Sequence, residues 1–206
     1  MAGMEFLIVA VTAFALILPV ELPDKSVVAT LVLSTRYPPL SVWLGVAAAF
    51  GVQCAVAVGA GTLIARLPER PVEFVAAALF LAGAVVLFLG ARRAGHESPD
   101  EEQQDYAQRI KGRRTGLRAA AASFVVLFTA EWGDLSQLLT AGLVASGRNP
   151  IPVFIGSWLA LIVVSGAAVL LGRWLQKRVK LSLIRYVAAG ICLVLALLTT
   201  VAAVRA

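Results

Sequence analysis

The chain has 206 residues, of which 60% are hydrophobic and 15% are charged, and its formal net charge is +6. Soluble domains are about 25% charged, and a water-soluble globule of this length has too little interior to bury so many apolar side chains. The composition therefore excludes a soluble protein and predicts an all-α integral membrane protein. The two cysteines, Cys54 and Cys192, are too few for a disulfide scaffold.

Six apolar runs are long enough to cross a bilayer as helices, which takes about 20 residues each. In chain order these predicted transmembrane helices are 5–36, 40–66, 72–91, 117–146, 151–172 and 183–204. The first and fourth runs are longer than one span requires and carry acidic residues in their middle, so we expect helices one and four to be broken or kinked. The spans divide into two three-helix halves, 1–91 and 117–206, joined by a charged loop at 92–116.

The distribution of basic residues predicts the orientation of the chain. Thirteen Lys and Arg residues follow the first, third and fifth spans, whereas four lie on the opposite side. The positive-inside rule then places loop 92–116 in the cytoplasm and both termini outside, in a multi-pass protein of the cell (inner or plasma) membrane. Because the positive charge is concentrated in these loops, we expect the lipid bilayer, and not nucleic acid, as its partner.

An internal repeat relates the two halves by a shift of 110 residues, which aligns segment 14–33 with segment 124–143. The polar matches are Glu21 with Glu131, Asp24 with Asp134, Ser26 with Ser136 and Thr30 with Thr140. Of the twelve Asp and Glu residues in the chain, only the four in these matches lie deep in apolar runs. Because each half has an odd number of spans, the second half enters the membrane from the opposite side. Inverted repeats of this kind occur in secondary transporters, whose binding site lies near the membrane midplane between the halves.

The four repeated acids predict a cation site. An acidic residue at the centre of a span costs about 2.5–3.5 kcal/mol, and Lys25 is the only base nearby in the sequence, so ion pairing accounts for at most one of them. Their carboxylates form an oxygen ligand set, which favours hard cations such as Mn²⁺, Ca²⁺ and Mg²⁺. Carboxylates held close together take up protons when the cation leaves. The pattern therefore predicts cation/proton exchange, with the cation as substrate and with no resident cofactor.

Two motifs, ELPDKS (Glu21–Ser26) and EWGDLSQ (Glu131–Gln137), lie on the first and fourth predicted spans. They resemble the paired Glu-x-Gly-Asp-Lys/Arg-Ser/Thr motifs of uncharacterised protein family 0016, also called the transmembrane protein 165 family or Ca²⁺:cation antiporter-2. The resemblance covers essentially the whole chain. It implies exchange of Mn²⁺ or Ca²⁺ for protons, and export of manganese in bacterial members.

The resemblance also implies roles for individual residues. The implied metal ligands are Glu21, Asp24, Glu131 and Asp134, with Lys25, Ser26, Ser136 and Gln137 as neighbouring polar groups. The chain departs from the family motif at two positions, because Pro23 replaces a glycine and Leu135 replaces a basic residue.

Other function classes stay open on the residues alone. An exporter of amino acids or other small organic cations would use the same acids to bind an ammonium group, and an uncoupled cation channel would use them for selectivity. An enzyme is disfavoured, because the sequence offers neither His ligands nor a nucleophile–base pair. The acids do not distinguish Mn²⁺ from Ca²⁺, although the family resemblance favours Mn²⁺.

Three further features of the sequence carry structural expectations. Runs of small residues pack helices within or between subunits, so a homodimer is one expected assembly. We expect Trp132, between two acids, to shield the site from water. We expect Gln53, midway along the second span, to form a hydrogen bond between helices.

Overall fold

In the computed structural model, the residues described are 2–22, 25–66, 69–93, 115–178 and 181–205. Across these residues the regular structure is entirely helical, which confirms the all-α prediction. The eight helices found there are α1 (Ala2–Glu21), α2 (Lys25–Arg36), α3 (Pro39–Ile64), α4 (Glu69–Arg93), α5 (Gly116–Ala130), α6 (Leu135–Ala145), α7 (Pro150–Arg178) and α8 (Leu181–Arg205). Pro23, Asp24 and most of loop 92–116 lie outside the described residues.

The helices follow the predicted apolar runs closely, and the first and fourth runs are each divided into two helices. In the first run α1 ends at Glu21 and α2 begins at Lys25. In the fourth run α5 ends at Ala130 and α6 begins at Leu135. Each of the two acidic motifs therefore lies at a helix break.

The ends of the helices follow from local chemistry. Pro39 and Pro150 occupy the first positions of α3 and α7, where the missing N–H and the fixed φ of proline suit a helix start. After α6, Gly147 takes a φ of +83°, a conformation that favours glycine and commonly ends a helix. Its N–H donates to the carbonyl of Val144 at 3.0 Å.

Three of the helices are long and apolar enough to cross a membrane, judged by length and composition over the described residues. These segments are Gly3–Glu21 in α1, Pro39–Ile64 in α3 and Pro150–Leu170 in α7. The half-helices α2, α5 and α6 are apolar but shorter than a span. A broken pair such as α5 and α6 therefore has to act together to cover the distance that α3 covers alone.

The two halves interlock around α3 and α7, which pack against each other. The broken pair α1 and α2 packs on α7 of the second half, whereas the broken pair α5 and α6 packs on α3 of the first. Helix α4 packs mainly against α8 and also contacts α6. Each broken pair is thus held chiefly by the unbroken helix of the other half.

Two close helix crossings explain why glycine stands at matching points of the repeat. A Cβ atom on Gly45 of α3 would overlap the carbonyl oxygen of Ala120 on α5. Similarly, a Cβ on Gly156 of α7 would overlap the carbonyl oxygen of Ala10 on α1. Small residues at such crossings let helix backbones approach each other closely.

Two indole groups link α3 and α7. Trp43 Nε1 on α3 donates to the Ile162 carbonyl at 3.2 Å, and Trp158 Nε1 on α7 donates to the Ala47 carbonyl at 2.8 Å. Buried indoles normally find a hydrogen-bond partner of this kind. The centre of the molecule is therefore fixed by hydrogen bonds as well as by close packing.

Candidate functional site

The first acidic motif begins at the last residue of α1. The Glu21 side chain is 0% exposed, although a carboxylate is among the groups least often buried. The chain then turns at Leu22, whose N–H donates to the Leu18 carbonyl at 3.1 Å. Ser26, in the first turn of α2, is also buried. Asp24 and the side chain of Lys25 lie outside the described residues.

The second acidic motif forms the break between α5 and α6. Glu131 is the C-cap of α5 and is 4% exposed. Gly133 turns the chain with a φ of +76°. Asp134 is the N-cap of α6, because its Oδ1 accepts from the Gln137 N–H at 3.0 Å and its Oδ2 accepts from Ser136 Oγ at 2.8 Å. An N-cap carboxylate stabilises the helix start by accepting from its first N–H groups.

The side chain of Gln137 braces this second break. Its Nε2 donates to the Glu131 carbonyl at 2.6 Å, and its Oε1 accepts from the Gly133 N–H at 3.3 Å. One amide group thus satisfies a donor and an acceptor of the backbone between the two half-helices. Ser136 and Gln137, which the family resemblance implies as polar neighbours of the site, therefore form hydrogen bonds with other residues of the second motif.

Helix α3 is joined by a side-chain hydrogen bond to the helix that leads into the second motif. Gln53 is buried and its Nε2 donates to the carbonyl of Phe128, one turn before Glu131. This bond joins α3 to α5, as expected for a polar residue between membrane helices. The neighbouring residue, Cys54, is also buried on this helix. The middle of α3 is therefore fixed against the helix that leads into the second motif.

The described residues contain no group of three or more His, Cys, Asp or Glu side chains arranged to hold a metal ion. They include three of the four predicted ligands, Glu21, Glu131 and Asp134, whereas Asp24 falls outside them. Among the described residues, the structure therefore shows no formed metal cage, and the four-carboxylate site stays a prediction.

The C-terminal ends of α1 and α5 carry negative charge at the two breaks, whereas α2 and α6 begin there with the positive ends of their dipoles. Carbonyl groups at the C-terminal ends of α1 and α5 carry the negative ends of the helix dipoles. Glu21 and Glu131 add carboxylates at those same ends. Carboxylates together with backbone carbonyls form the hard oxygen ligand set that Ca²⁺ and Mn²⁺ accept.

Trp132 lies in the second break. Its side chain is 58% exposed on the described structure and packs on Phe128, with ring centroids 4.8 Å apart. That it shields the acids from water stays a prediction.

The motif departure at Leu135 has a packing explanation. A Cβ built on Gly83 of α4 would lie 3.1 Å from Leu135 Cδ1 and 3.2 Å from Leu139 Cδ2. Leu135 therefore packs against α4, a surface on which a basic side chain would lose its hydration.

One buried pair in the second half was not predicted as a contact. Thr140 Oγ1 lies 2.7 Å from the Ser136 carbonyl and 3.1 Å from Ser157 Oγ on α7. The repeat matches Thr140 to Thr30 but gives Ser157 no hydroxyl counterpart, since the aligned residue is Val46. Only tertiary packing of α6 on α7 could reveal this contact.

Comparison with known proteins places these features in a family. A family model described as "Divalent cation/proton antiporter GDT1" matches residues 9–95 and 119–206. A GDT1-like protein from Synechocystis sp. is 32% identical over 188 residues, which cover 85% of this chain and 91% of that relative. No solved structure matches the chain.

Plant proteins are similar over part of their own length. GDT1-like protein 3 of Arabidopsis thaliana is 28% identical over 182 residues, which cover 82% of this chain and 62% of that relative. GDT1-like protein 1, chloroplastic, of Oryza sativa subsp. indica is 28% identical over 208 residues, covering 92% of this chain and 61% of that relative. The chain thus spans about three fifths of the length of these plant relatives.

Proposed function

The chain belongs to the divalent cation/proton antiporter GDT1 family, and we propose that it exports Mn²⁺ from the cytoplasm in exchange for protons, with Ca²⁺ as the second candidate cation. The proposed site consists of Glu21, Asp24, Glu131 and Asp134 near the membrane midplane. The protein is a transporter and not an enzyme, and the metal ion is its substrate.

One observation carries this proposal. Two glutamates from separate halves of the chain, Glu21 and Glu131, are each buried at the C-terminal end of a half-helix. Carboxylates at these helix ends stand beside backbone carbonyls, and together they are the oxygen ligands that a hard divalent cation accepts. Protons compete with the cation for the same carboxylates.

We propose further that the two halves, 1–91 and 117–206, are inverted repeats of three membrane spans each. Three features support this relation: both acidic motifs lie at helix breaks, each broken pair packs on the unbroken helix of the other half, and glycines stand at both matching crossings. In transporters built this way, alternating access comes from movement of one repeat against the other around a fixed site.

The proposed orientation follows the positive-inside rule. Loop 92–116 is cytoplasmic and both termini are outside, in a multi-pass protein of the cell membrane. With an inward proton gradient, competition between protons and the metal at the shared carboxylates drives the metal outward.

The experiment that tests this function is transport in proteoliposomes with an imposed pH gradient. Uptake of Mn²⁺ and then of Ca²⁺ is followed for wild type, for Glu131→Gln and for Glu5→Gln, a control on the exposed start of α1. We expect metal movement that collapses with the gradient, is lost in Glu131→Gln and is retained in Glu5→Gln.

Two other results would overturn the proposal in favour of a different class. Metal movement indifferent to the pH gradient would identify an uncoupled channel. Absence of Mn²⁺ and Ca²⁺ movement by folded protein, together with gradient-driven movement of an amino acid, would identify an organic-cation exporter.

A further inference from the structure

Helices α4 and α8 lie side by side and run in opposite directions. A Cβ atom built on Gly83 of α4 would lie 3.8 Å from Cys192 Sγ of α8. Further along α4, the ring of Phe88 contacts the ring of Tyr186, which lies nearer the start of α8. The end of α4 and the beginning of α8 therefore meet at the same edge of the bundle.

An arginine and two aromatic rings form a cluster at this edge. The Cζ atom of Arg92 lies 5.5 Å from the centroid of the Phe88 ring, which stands one helical turn earlier on α4. The rings of Phe88 and Tyr186 meet edge to face, with centroids 5.8 Å apart and planes at 68°. A guanidinium above the face of a ring is attracted by the quadrupole of that ring, so Phe88 holds the charge of Arg92 in place. Arg92, Phe88 and Tyr186 are here called the arginine–aromatic cluster.

The cluster is exposed on the described structure. Phe88 is 45% exposed, Tyr186 is 43% exposed and Arg92 is exposed as well. Within the described part of the chain, Arg92 contacts the Phe88 ring and forms no ion pair with a carboxylate. The planar fork of N–H donors on its guanidinium is therefore available to an anion.

An exposed apolar row leads along α4 to this arginine. Leu81, Val85, Phe88 and Arg92 are spaced by four, three and four residues, so they lie above one another on one face of the helix. The three apolar members are each between 45% and 49% exposed. A ligand that fits this face has an apolar chain beside Leu81 and Val85 and a negative group at Arg92.

Other arginines of the described residues have different surroundings. Arg36, Arg66, Arg118 and Arg148 are also exposed, but among the described residues only Arg92 lies above an aromatic ring. Arg92 thus combines a fixed position with an adjoining apolar surface.

We propose that the arginine–aromatic cluster binds an anionic phospholipid, with the lipid phosphate on Arg92 and an acyl chain along Leu81 and Val85. Arginine forms paired hydrogen bonds with phosphate groups. Tyrosine, the residue type at position 186, is enriched at the headgroup level of membranes. This inference goes beyond the proposed function and does not depend on which ion is transported.

The charge around the cluster favours a lipid with net negative charge. The sequence places two more basic residues, Arg93 and Arg185, close to the same two helix ends, and each basic residue near a membrane surface attracts anionic lipids. A zwitterionic lipid carries its own positive group beside the phosphate, which reduces this attraction. A free phosphate ion would make no contact with the apolar row.

The experiment measures lipid binding to the full chain in detergent by native mass spectrometry. The probes are phosphatidylglycerol and phosphatidylcholine with the same acyl chains, and wild type should bind phosphatidylglycerol more tightly. Arg92→Gln should weaken phosphatidylglycerol binding about fivefold, the effect of one basic residue near an anionic lipid. Binding of phosphatidylcholine should stay unchanged in this variant.

Two further variants separate the cluster from general attraction by positive charge. Arg66→Gln removes an exposed arginine just after the end of α3 and should leave both affinities unchanged. Phe88→Leu keeps an apolar side chain but removes the ring beneath Arg92, and it should weaken phosphatidylglycerol binding about threefold. Because both arginines are exposed, the thermal unfolding of the two arginine variants without added lipid should match that of wild type.

Three results would overturn the proposal. Equal affinity of wild type for the two lipids would remove the selectivity for an anionic headgroup. Equal weakening by Arg92→Gln and Arg66→Gln would show attraction by charge alone, without a site at the cluster. Displacement of phosphatidylglycerol by an equal concentration of soluble glycerol phosphate would identify a site for small anions in which the acyl chain has no part.

Discussion

The two helix breaks share their acids but are stabilised by different chemistry. At the second break, Gly133 turns the chain, Asp134 caps α6 and Gln137 bonds to the backbone on both sides. The first break has Pro23 at the glycine position and Val27 at the glutamine position.

Apolar contacts take the place of the amide brace at the first break. Val27 is buried in a cluster with Val164 and Ala168 of α7. A polar brace fixes one local backbone geometry, whereas apolar contacts are not directional. The two breaks therefore share their glutamates, whereas hydrogen bonds stabilise one break and apolar contacts stabilise the other.

The largest expected effect tests whether both halves contribute equally to transport. Glu21→Gln and Glu131→Gln should each lower Mn²⁺/H⁺ exchange by more than about 100-fold, because losing even a group that only orients a metal ligand costs about 10–100-fold. Glu5→Gln on α1 should leave the rate unchanged. If only one of the two glutamate variants kept Mn²⁺/H⁺ exchange, the two motifs would not contribute equally.

The next effect concerns stability at the paired crossings. Gly45→Ala and Gly156→Ala should each lower the free energy of unfolding by about 3 kcal/mol, because the added methyl group meets a backbone carbonyl that cannot rotate away. In Gly59→Ala, also on α3, the added methyl group meets no atom of another described element within 4 Å, and the change should stabilise the protein by about 0.5–1 kcal/mol. Thermal unfolding in detergent measures all three. Unequal losses of unfolding free energy in Gly45→Ala and Gly156→Ala would show that the two crossings are not equivalent.

A smaller effect is specific to the second break. Gly133→Ala should destabilise the protein by about 1–2 kcal/mol, because the left-handed conformation at φ +76° is costly for a residue with a Cβ. Apart from its chain neighbours, no atom of the described residues lies within 4 Å of the added group, so the expected loss comes from the backbone conformation. Unchanged thermal stability would show that this turn does not constrain the break.

The smallest effect compares the two matched threonines. Thr140→Val should cost about 1 kcal/mol, because it removes a bonded hydroxyl and leaves Ser157 with one partner fewer. Thr30→Val removes a hydroxyl without a partner among the described residues, so its stability should equal or exceed that of wild type. An equal loss of unfolding free energy in Thr30→Val and Thr140→Val would contradict this difference between the two threonines.

The apolar runs and the repeated acids were enough to predict an all-α protein and its helix breaks, and the resemblance of the two motifs to a known family predicted the family. Apolar length fixes where membrane helices lie, and acids in such runs are costly enough to stand out. The contact of Trp132 with Phe128 could not be predicted, because proximity in sequence does not determine which way a side chain faces at a turn. Among the described residues the Thr30 hydroxyl has no hydrogen-bond partner, which could not be inferred from its sequence match, Thr140, because that residue is bonded. The four-carboxylate site, the inverted repeat and the homodimer stay predictions.

The central claim is that the acids of both halves form one site at which a metal ion displaces protons. The most direct measurement is proton release on adding Mn²⁺ to weakly buffered protein in detergent, for wild type, Glu21→Gln and Glu131→Gln. We expect wild type to release protons, and both variants to release fewer protons and to bind Mn²⁺ more weakly. Mn²⁺ binding without proton release, or release that depends on only one of the two glutamates, would contradict it.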